Sequence, residues 1–298
     1  MMVPRRIILS RKGFDSAAGG CPSPIFPDGT MFSIPIPGNT GSTRYRDLGR
    51  QGEYELPKRL VTSSGHTVEL IDRQVHLDPD IRTELRPKHA KKECANLYLF
   101  GQDSAAQRQL ETEGVGIGDL FLFFGLFKCA MLAGDSALFV RGARKKHILW
   151  GWLQVGKIFP LEREDPVAEK LNCAGHHPHL ESREPSHNCI YTAATKLSLS
   201  DNLGGAGIFE KYDDALCLTS SDENRCSFWT LPEFFADAGM TYHGPHTTYD
   251  LAKWKRQDRV IRGRSAGRGQ EFVVKTDKVK EQARVWLESI FKHAKKPN

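Results

Sequence analysis

The chain has 298 residues, 39% of them hydrophobic and 26% charged, with a formal net charge of +6. That apolar content supports a real core and excludes a disordered chain, and no apolar run approaches the ~20 residues needed to cross a bilayer. The charge is uneven: Thr241 to Asn298 holds 14 Lys/Arg against 6 Asp/Glu, so this segment carries +8 and the first 240 residues −2. Such a basic segment suits a polyanionic partner, nucleic acid above all, although a solvated face accounts for the same excess.

The first apolar run, Ile7-Ile8-Leu9, reads as a short strand. It is followed by "SRKGFDSAAGGCPSPIFPDGT", Ser10 to Thr30, a loop rich in glycine and proline that contains a basic pair and two aspartates. Ordered loops of this length without secondary structure of their own are usually functional. Prolines at 35 and 37 make "FSIPIP" at best an edge strand, and Arg44 to Gly49 reads as one helical turn. "HTVELIDRQV", His66 to Val75, reads as a strand leading into "HLDPD", and "ANLYLF", Ala95 to Phe100, as a buried strand. Asp103 to Gly114 carries helix signals, with Asp103 or Ser104 as cap and Gly114 as stop.

The strongest β signal comes next, in "VGIGDLFLFFGLF" and, after a hairpin-like excursion, "HILWGWLQVGKIF" from His147 to Phe159. "CIYTAATKLSL" and "ALCLTS...CSFWTLPEFF" predict three further short strands, with "LPEFF" opening a helical turn. Near the end, Val279, Ala283, Trp286, Leu287, Ile290 and Phe291 fall on one face of a helix, with Thr276 or Asp277 where a cap belongs. Lys292, Lys295 and Lys296 suit the negative end of its macrodipole. The expected fold is therefore α+β in one domain, 1–298: a mostly antiparallel, twisted sheet or a PUA-like barrel, with peripheral helices and a C-terminal amphipathic helix. Within it lie an ordered loop at 10–30, a β-rich centre at 95–235, and a basic loop with the final helix at 250–296.

Seven cysteines, at 21, 94, 129, 173, 189, 217 and 226, contain no C-x-x-C pair. Their odd number and spacing suggest neither a disulfide framework nor a thiolate zinc site, and with no secretory signal the expectation is a reduced, cytoplasmic protein without a membrane segment.

Two clusters carry candidate chemistry. "VHLDPD" places His76, Asp78 and Asp80 within five residues, where one turn can aim them at a single cation; alone, these carboxylates equally suit capping backbone amides. "GHHPHLESREPSHN" holds His176, His177, His179 and His187, four of the eleven histidines. An extended His177-Pro178-His179 places both rings on one side. Together the clusters offer an all-N/O donor set, which favours iron or manganese over a thiolate zinc site, with zinc as a further alternative. Glu181 is a candidate to hold the second nitrogen of a ligating ring. His243 and His246 are a weaker third group. Arg262, Arg264 and Arg268, spaced by glycine and serine in "IRGRSAGRGQEF", suit phosphate contacts of a nucleotide or nucleic acid. Walker, Rossmann, H-E-x-x-H and G-x-S-x-G signatures do not occur.

Taken in order, "ILSRKGFDSAAGGCPSPIFPDGT", "VHLDPDI", "GVGIGDLFLFFGLF" with "GWLQVG", "HPHL...NCIYTA", "WTLPEFF" and "GRGQEF" resemble the third nucleotide-modification-associated domain family, from about Ile7 to Val273. The resemblance implies association with a pathway that modifies nucleobases in DNA, and supplies no reaction. It points to Asp15, His76, Asp78, Asp80, His177 and His179 as residues able to bind metal, and includes Gln102 and Gln270-Glu271. Gln109 stands where the family frequently has a histidine, so a histidine there is not required. The "GDLFLFFGLF...GWLQVG" segment also resembles the centre of PUA-like barrels such as ASCH and EVE domains.

Two readings follow. In the first, the chain is a metal-dependent, non-haem iron enzyme acting on a nucleobase or nucleotide, by oxidation for instance. His76, Asp78, Asp80, His177, His179 and Asp15 form its ligand pool, with Asp15 also a base for bound water and Lys12 and Arg11 neutralising an anionic group. In the second, it is a PUA-like module that reads a modified base or RNA without catalysis or metal.

Overall fold

The two apolar runs at the centre of the sequence become the longest strands of the computed structural model, Leu120–Ala133 and Lys146–Pro160, paired antiparallel. The model describes residues 2–39, 43–51, 53–161, 168–182, 186–242, 248–249, 251, 254–266 and 270–295. Every residue from Leu120 to Lys128 is buried, because both faces of the strand are covered. Phe121 and Phe123 pack against Phe100, while Phe124 meets Trp229 and Phe272. A strand covered on both sides reads as a continuous apolar run rather than an alternating one.

Around this pair the described strands build a thirteen-stranded sheet. Most pairings are antiparallel. The first strand, Arg6–Arg11, is an exception: it lies parallel to Leu120–Phe124 on one side and antiparallel to Glu271–Lys275 on the other. Strand Ser23–Ile25 pairs parallel with Phe127–Cys129 of the same long strand. Both therefore pair with the same long strand, and residues 12–22 are the excursion between them. On the far side, Lys146–Pro160 hands the sheet on to Cys189–Ala193, which pairs with Leu99–Gln102. The fold is α+β with an open, twisted sheet. The barrel alternative is not what forms, since among the described residues the path runs from Thr248–Tyr249 to Thr67–Glu69 and the two ends do not pair.

The long pair is irregular at one place. Phe123 opposes Gly151 and Phe124 opposes Leu149, so Trp150 is an extra residue in a bulge. Bulges re-aim side chains. Here the indole Nε1 donates to the Lys12 carbonyl at 3.3 Å, bracing the start of the excursion.

Most local expectations match. The helix at Ser104–Thr112 follows Asp103, and Tyr45–Asp47 is a short helical turn. The final helix, Lys280–Phe291, buries Ala283, Leu287, Ile290 and Phe291, with Phe291 edge-on to Trp152. Thr276 does not cap it: its hydroxyl donates to the Pro4 carbonyl at 2.5 Å and Val279 occupies the cap position. The expected strand at 66–75 is two short pieces, Thr67–Glu69 and Val75–His76, split by a turn in which the Arg73 amide donates to Leu70. "ALCLTS" forms a helical turn, Asp214–Leu216, and isolated bridges instead of a strand. The His147 amide there donates to the Thr219 hydroxyl at 2.8 Å, so a side chain takes a bond that a ladder would need.

The cysteine expectation is overturned as well. Cys94 and Cys173, 79 residues apart, form a disulfide, so the thiols are not all reduced. The spacing hid the pair because long-range folding alone brings the Lys92–Cys94 and Glu169–Ala174 turns together. No helix among the described residues is long and apolar enough to cross a membrane.

Candidate metal centre

The opening excursion is an ordered structure built around Asp15. Its Oδ1 accepts from the Ala17 and Ala18 amides at 2.7 Å each, its backbone amide donates to Ala18, and its carbonyl accepts from Gly20. Asp15 Oδ2 lies 3.2 Å from Arg11 Nε. Gly19 has φ +101°, and a Cβ there would lie 2.3 Å from the buried Phe14 ring, so the loop closes only with glycine. This loop forms one wall of a cavity of about 760 Å³ that Arg11, Lys12, Asp15, His76, Asp78 and His179 all line.

His76 ends the strand Val75–His76, and the Asp78 amide folds back onto the His76 carbonyl at 2.9 Å. His179 comes from a different direction. His177 is the cap residue and Pro178 the first residue of a helical turn, Pro178–Glu181, so the H-x-H segment is not extended. Proline suits that first position because it lacks the amide that would go unused. The His177 and His179 rings nevertheless lie close, 5.8 Å between centroids. Gly101 is the floor on which the elements meet. Its amide donates to Asp78 Oδ1 at 2.7 Å, and a Cβ on it would lie 2.2 Å from the His179 ring.

His76, Asp78 and His179 each offer one donor atom, and these atoms lie within 4.8 Å of one another. The His179 Nδ1 is 2.8 Å from the Asn188 Oδ1, and the Asn188 Nδ2 in turn donates to the His179 carbonyl, which orients that amide. Since Asn188 Oδ1 only accepts, Nδ1 carries the proton and Nε2 presents a lone pair. A second-nitrogen hydrogen bond of this kind orients metal-binding imidazoles generally. Asn188 therefore takes the role for which the sequence nominated Glu181. No sequence signal singled it out.

His177 is wholly buried behind this group, with Nε2 3.3 Å from Asp78 Oδ1. Neither of its ring nitrogens is aligned for a hydrogen bond. His177 therefore lies behind Asp78, outside the three residues whose donor atoms share one space.

Asp80 and Asp15 stand outside the cluster. The Asp80 carboxylate receives Arg86 Nε at 2.8 and 2.9 Å and His176 Nε2 at 3.0 Å. Arg86 also donates to the carbonyls of Cys94 and Leu97, so Asp80 anchors the turn rather than a cation. Asp15 is committed to its own loop. Lys12 is closer to the centre: its Nζ lies 3.7 Å from Asp78, 3.9 Å from Glu271 and 4.5 Å above the Phe100 ring. Glu271, which carried no role in the sequence reading, is fully buried and accepts from Ser10 and from Gln102 at 3.0 and 2.6 Å. The resemblance includes it, in "GRGQEF", without giving it a role.

Electrostatics separate these groups. Burial pushes His76 down to about 3, against the pull of Asp78, and lowers His179 in the same way. Both imidazoles are therefore neutral and able to ligate at neutral pH. Burial works to raise Asp78, but His177, Lys12 and His179 outweigh it and hold the carboxyl well below the usual range. Burial raises Glu271 to about 7 despite Lys12, Ser10 and Gln102. Two neutral imidazoles and one carboxylate form a donor set suited to a divalent transition metal.

Of the three arginines expected at a phosphate, Arg262 and Arg264 lie on strand Val260–Arg264. They do not line the cavity of the metal cluster. Arg268, His243, His246 and Lys296 fall outside the described residues.

A family model, Nucleotide modification associated domain 3, matches residues 6–275. The chain belongs to that family. No curated protein and no solved structure matches the chain. The matched span contains the opening loop, both histidine-bearing segments and Glu271, so the whole site lies within the family's domain.

Proposed function

We propose that this family member is a metal-dependent enzyme that modifies a nucleobase or nucleotide, with non-haem iron as the metal and oxidation as the reaction class. The observation that carries this reading is the convergence of His76, Asp78 and His179 on one cavity wall, with the His179 Nδ1–H donated to Asn188 Oδ1. Two histidines and one carboxylate are the donor set of non-haem iron oxygenases. His76 Nδ1 or Nε2, His179 Nε2 and one Asp78 oxygen would hold the metal, and His177 is placed to support Asp78. The metal would supply Lewis-acid or redox chemistry that no side chain of this cavity provides.

The protein groups have separable tasks. Lys12 balances the Asp78 carboxylate and keeps a cation at the cavity wall, where an anionic group of a nucleotide gains from it. Arg11 contributes a second cation through the Asp15-held loop. Glu271, poised near neutrality beside Lys12, can hold a proton behind the site. Asp15 shapes the loop that delivers Arg11 and Lys12.

Elemental analysis of anaerobically purified protein tests the reading. Near-stoichiometric metal in the wild type that is lost in His76→Ala and His179→Ala is expected. Metal at trace level, or unchanged in both variants, rejects it. A protein that binds nucleic acid equally well with and without His76 would instead be a binding module.

A further inference from the structure

A second cavity, of about 540 Å³, lies between the Asp214–Leu216 turn and strand Val260–Arg264. Arg144, Lys146, Arg259 and Arg262 line it, opposed by one carboxylate, Asp214. The Asp214 carboxylate already accepts the Tyr212 hydroxyl. Among the described residues, no carboxylate pairs with any of the four cations. Lys146 Nζ instead donates to the Tyr212 hydroxyl at 2.5 Å and rests 4.4 Å above its ring.

Three buried polar atoms of residues that line this cavity have no hydrogen-bond partner: Ser220 Oγ, Arg144 Nε and Arg262 Nε. Ser220 is only 2% exposed, and its backbone amide is already spent on the Phe228 carbonyl. Arg144 is itself fixed, donating to the Ser220 and Ser221 carbonyls at 3.0 and 2.5 Å. Leaving a buried donor unmatched costs about 1–3 kcal/mol. Four cations, two of them with an unmatched Nε donor, together with the Ser220 hydroxyl are the complement of a group with several acceptor oxygens, and guanidinium recognition of such groups is the strongest of these contacts.

We infer that this cavity is a phosphate-binding site for the nucleotide or polynucleotide on which the protein acts. The choice of phosphate over other oxyanions rests on the proposed action on nucleotides; the cationic, donor-rich character of the cavity does not.

The test uses the full chain after EDTA treatment, so that success or failure of the metal site does not affect it. Two probes are used: a 5′-fluorescein-labelled 12-nucleotide single-stranded DNA followed by anisotropy, and deoxyadenosine monophosphate followed by calorimetry. In Arg259→Ala/Arg262→Ala, binding of at least one probe should weaken tenfold or more. For the DNA, the slope of log K against log salt should fall by about 1.4, two phosphates at about 0.7 each. Loss confined to the DNA assigns a chain phosphate, and loss with the monophosphate assigns a nucleotide's own phosphate. Ser220→Ala should weaken the same probe about 3- to 10-fold and keeps the inference testable if the arginine pair is needed for folding. Unchanged affinity for both probes in every folded variant overturns it, as does a wild type that binds neither.

Discussion

Gly101 and His179 are mutually exclusive with any larger residue at 101: a Cβ there would lie 2.2 Å from the imidazole ring, while the Gly101 amide holds Asp78. One backbone position thus sets the distance between two of the three cluster residues. Gly101→Ala should push the ring away from Asp78, at a stability cost of about 1–3 kcal/mol typical of overpacking. Metal content and a urea titration on the same samples check this, with loss of metal exceeding what the modest loss of stability explains.

Asn188 acts through His179 and touches nothing else of the cluster. Asn188→Ala should lower metal affinity by about 10–100-fold, the usual effect of removing a ligand's outer partner. Chelator competition measures it. A fold left intact with unaltered affinity would show that the ring is oriented by packing alone.

Asp80 and Arg86 form a buried ion pair with His176 as third partner. Asp80→Ala leaves the Arg86 charge uncompensated and should cost about 3–5 kcal/mol. The Asp80 to Leu99 backbone bridge lies beside this pair, so the variant should unfold at lower urea without first losing metal. Metal lost ahead of the unfolding transition would instead make Asp80 a ligand.

His147 gives a pH dependence with a definite sign. Burial, helped by Arg11, lowers it from 6.5 to about 3, and its Nδ1 accepts from Trp229 Nε1 at 2.9 Å. The folded state therefore stays unprotonated at this site where the unfolded chain takes up a proton. Its contribution is full above pH 6.5 and is lost as pH falls towards 3, at about 1.4 kcal/mol per pH unit. His147→Gln, which can still accept from Trp229, should flatten the stability curve by that slope between about pH 6 and 4. Parallel curves for the two proteins would contradict it.

The Cys94–Cys173 pair predicts a thiol count. Alkylation without reductant, read by mass spectrometry, should label five cysteines, Cys21, Cys129, Cys189, Cys217 and Cys226, after unfolding. Seven labelled cysteines would remove the cross-link. Cys173→Ser should lower stability by about 2–4 kcal/mol.

The sequence alone determined what depends on neighbours in the chain. The apolar faces of Lys280–Phe291, the continuous apolar run at Leu120–Lys128 and the ordered opening loop follow from local periodicity and turn chemistry. So does the donor inventory, since residue types alone nominate His76, Asp78 and His179. Tertiary structure decided which donors share a space, because that depends on partners far along the chain. Arg86 and His176 claim Asp80, the Ala17 and Ala18 amides claim Asp15, and Asn188 turns the His179 lone pair inward. Folding also makes Glu271, 261 residues from Ser10, a buried group beside Lys12. The loop between the first two strands reads as functional from its composition, but its aspartate fastens the loop while its lysine faces the cluster. Short-range pattern cannot make that distinction, because burial and charge pairing are properties of the assembled sheet.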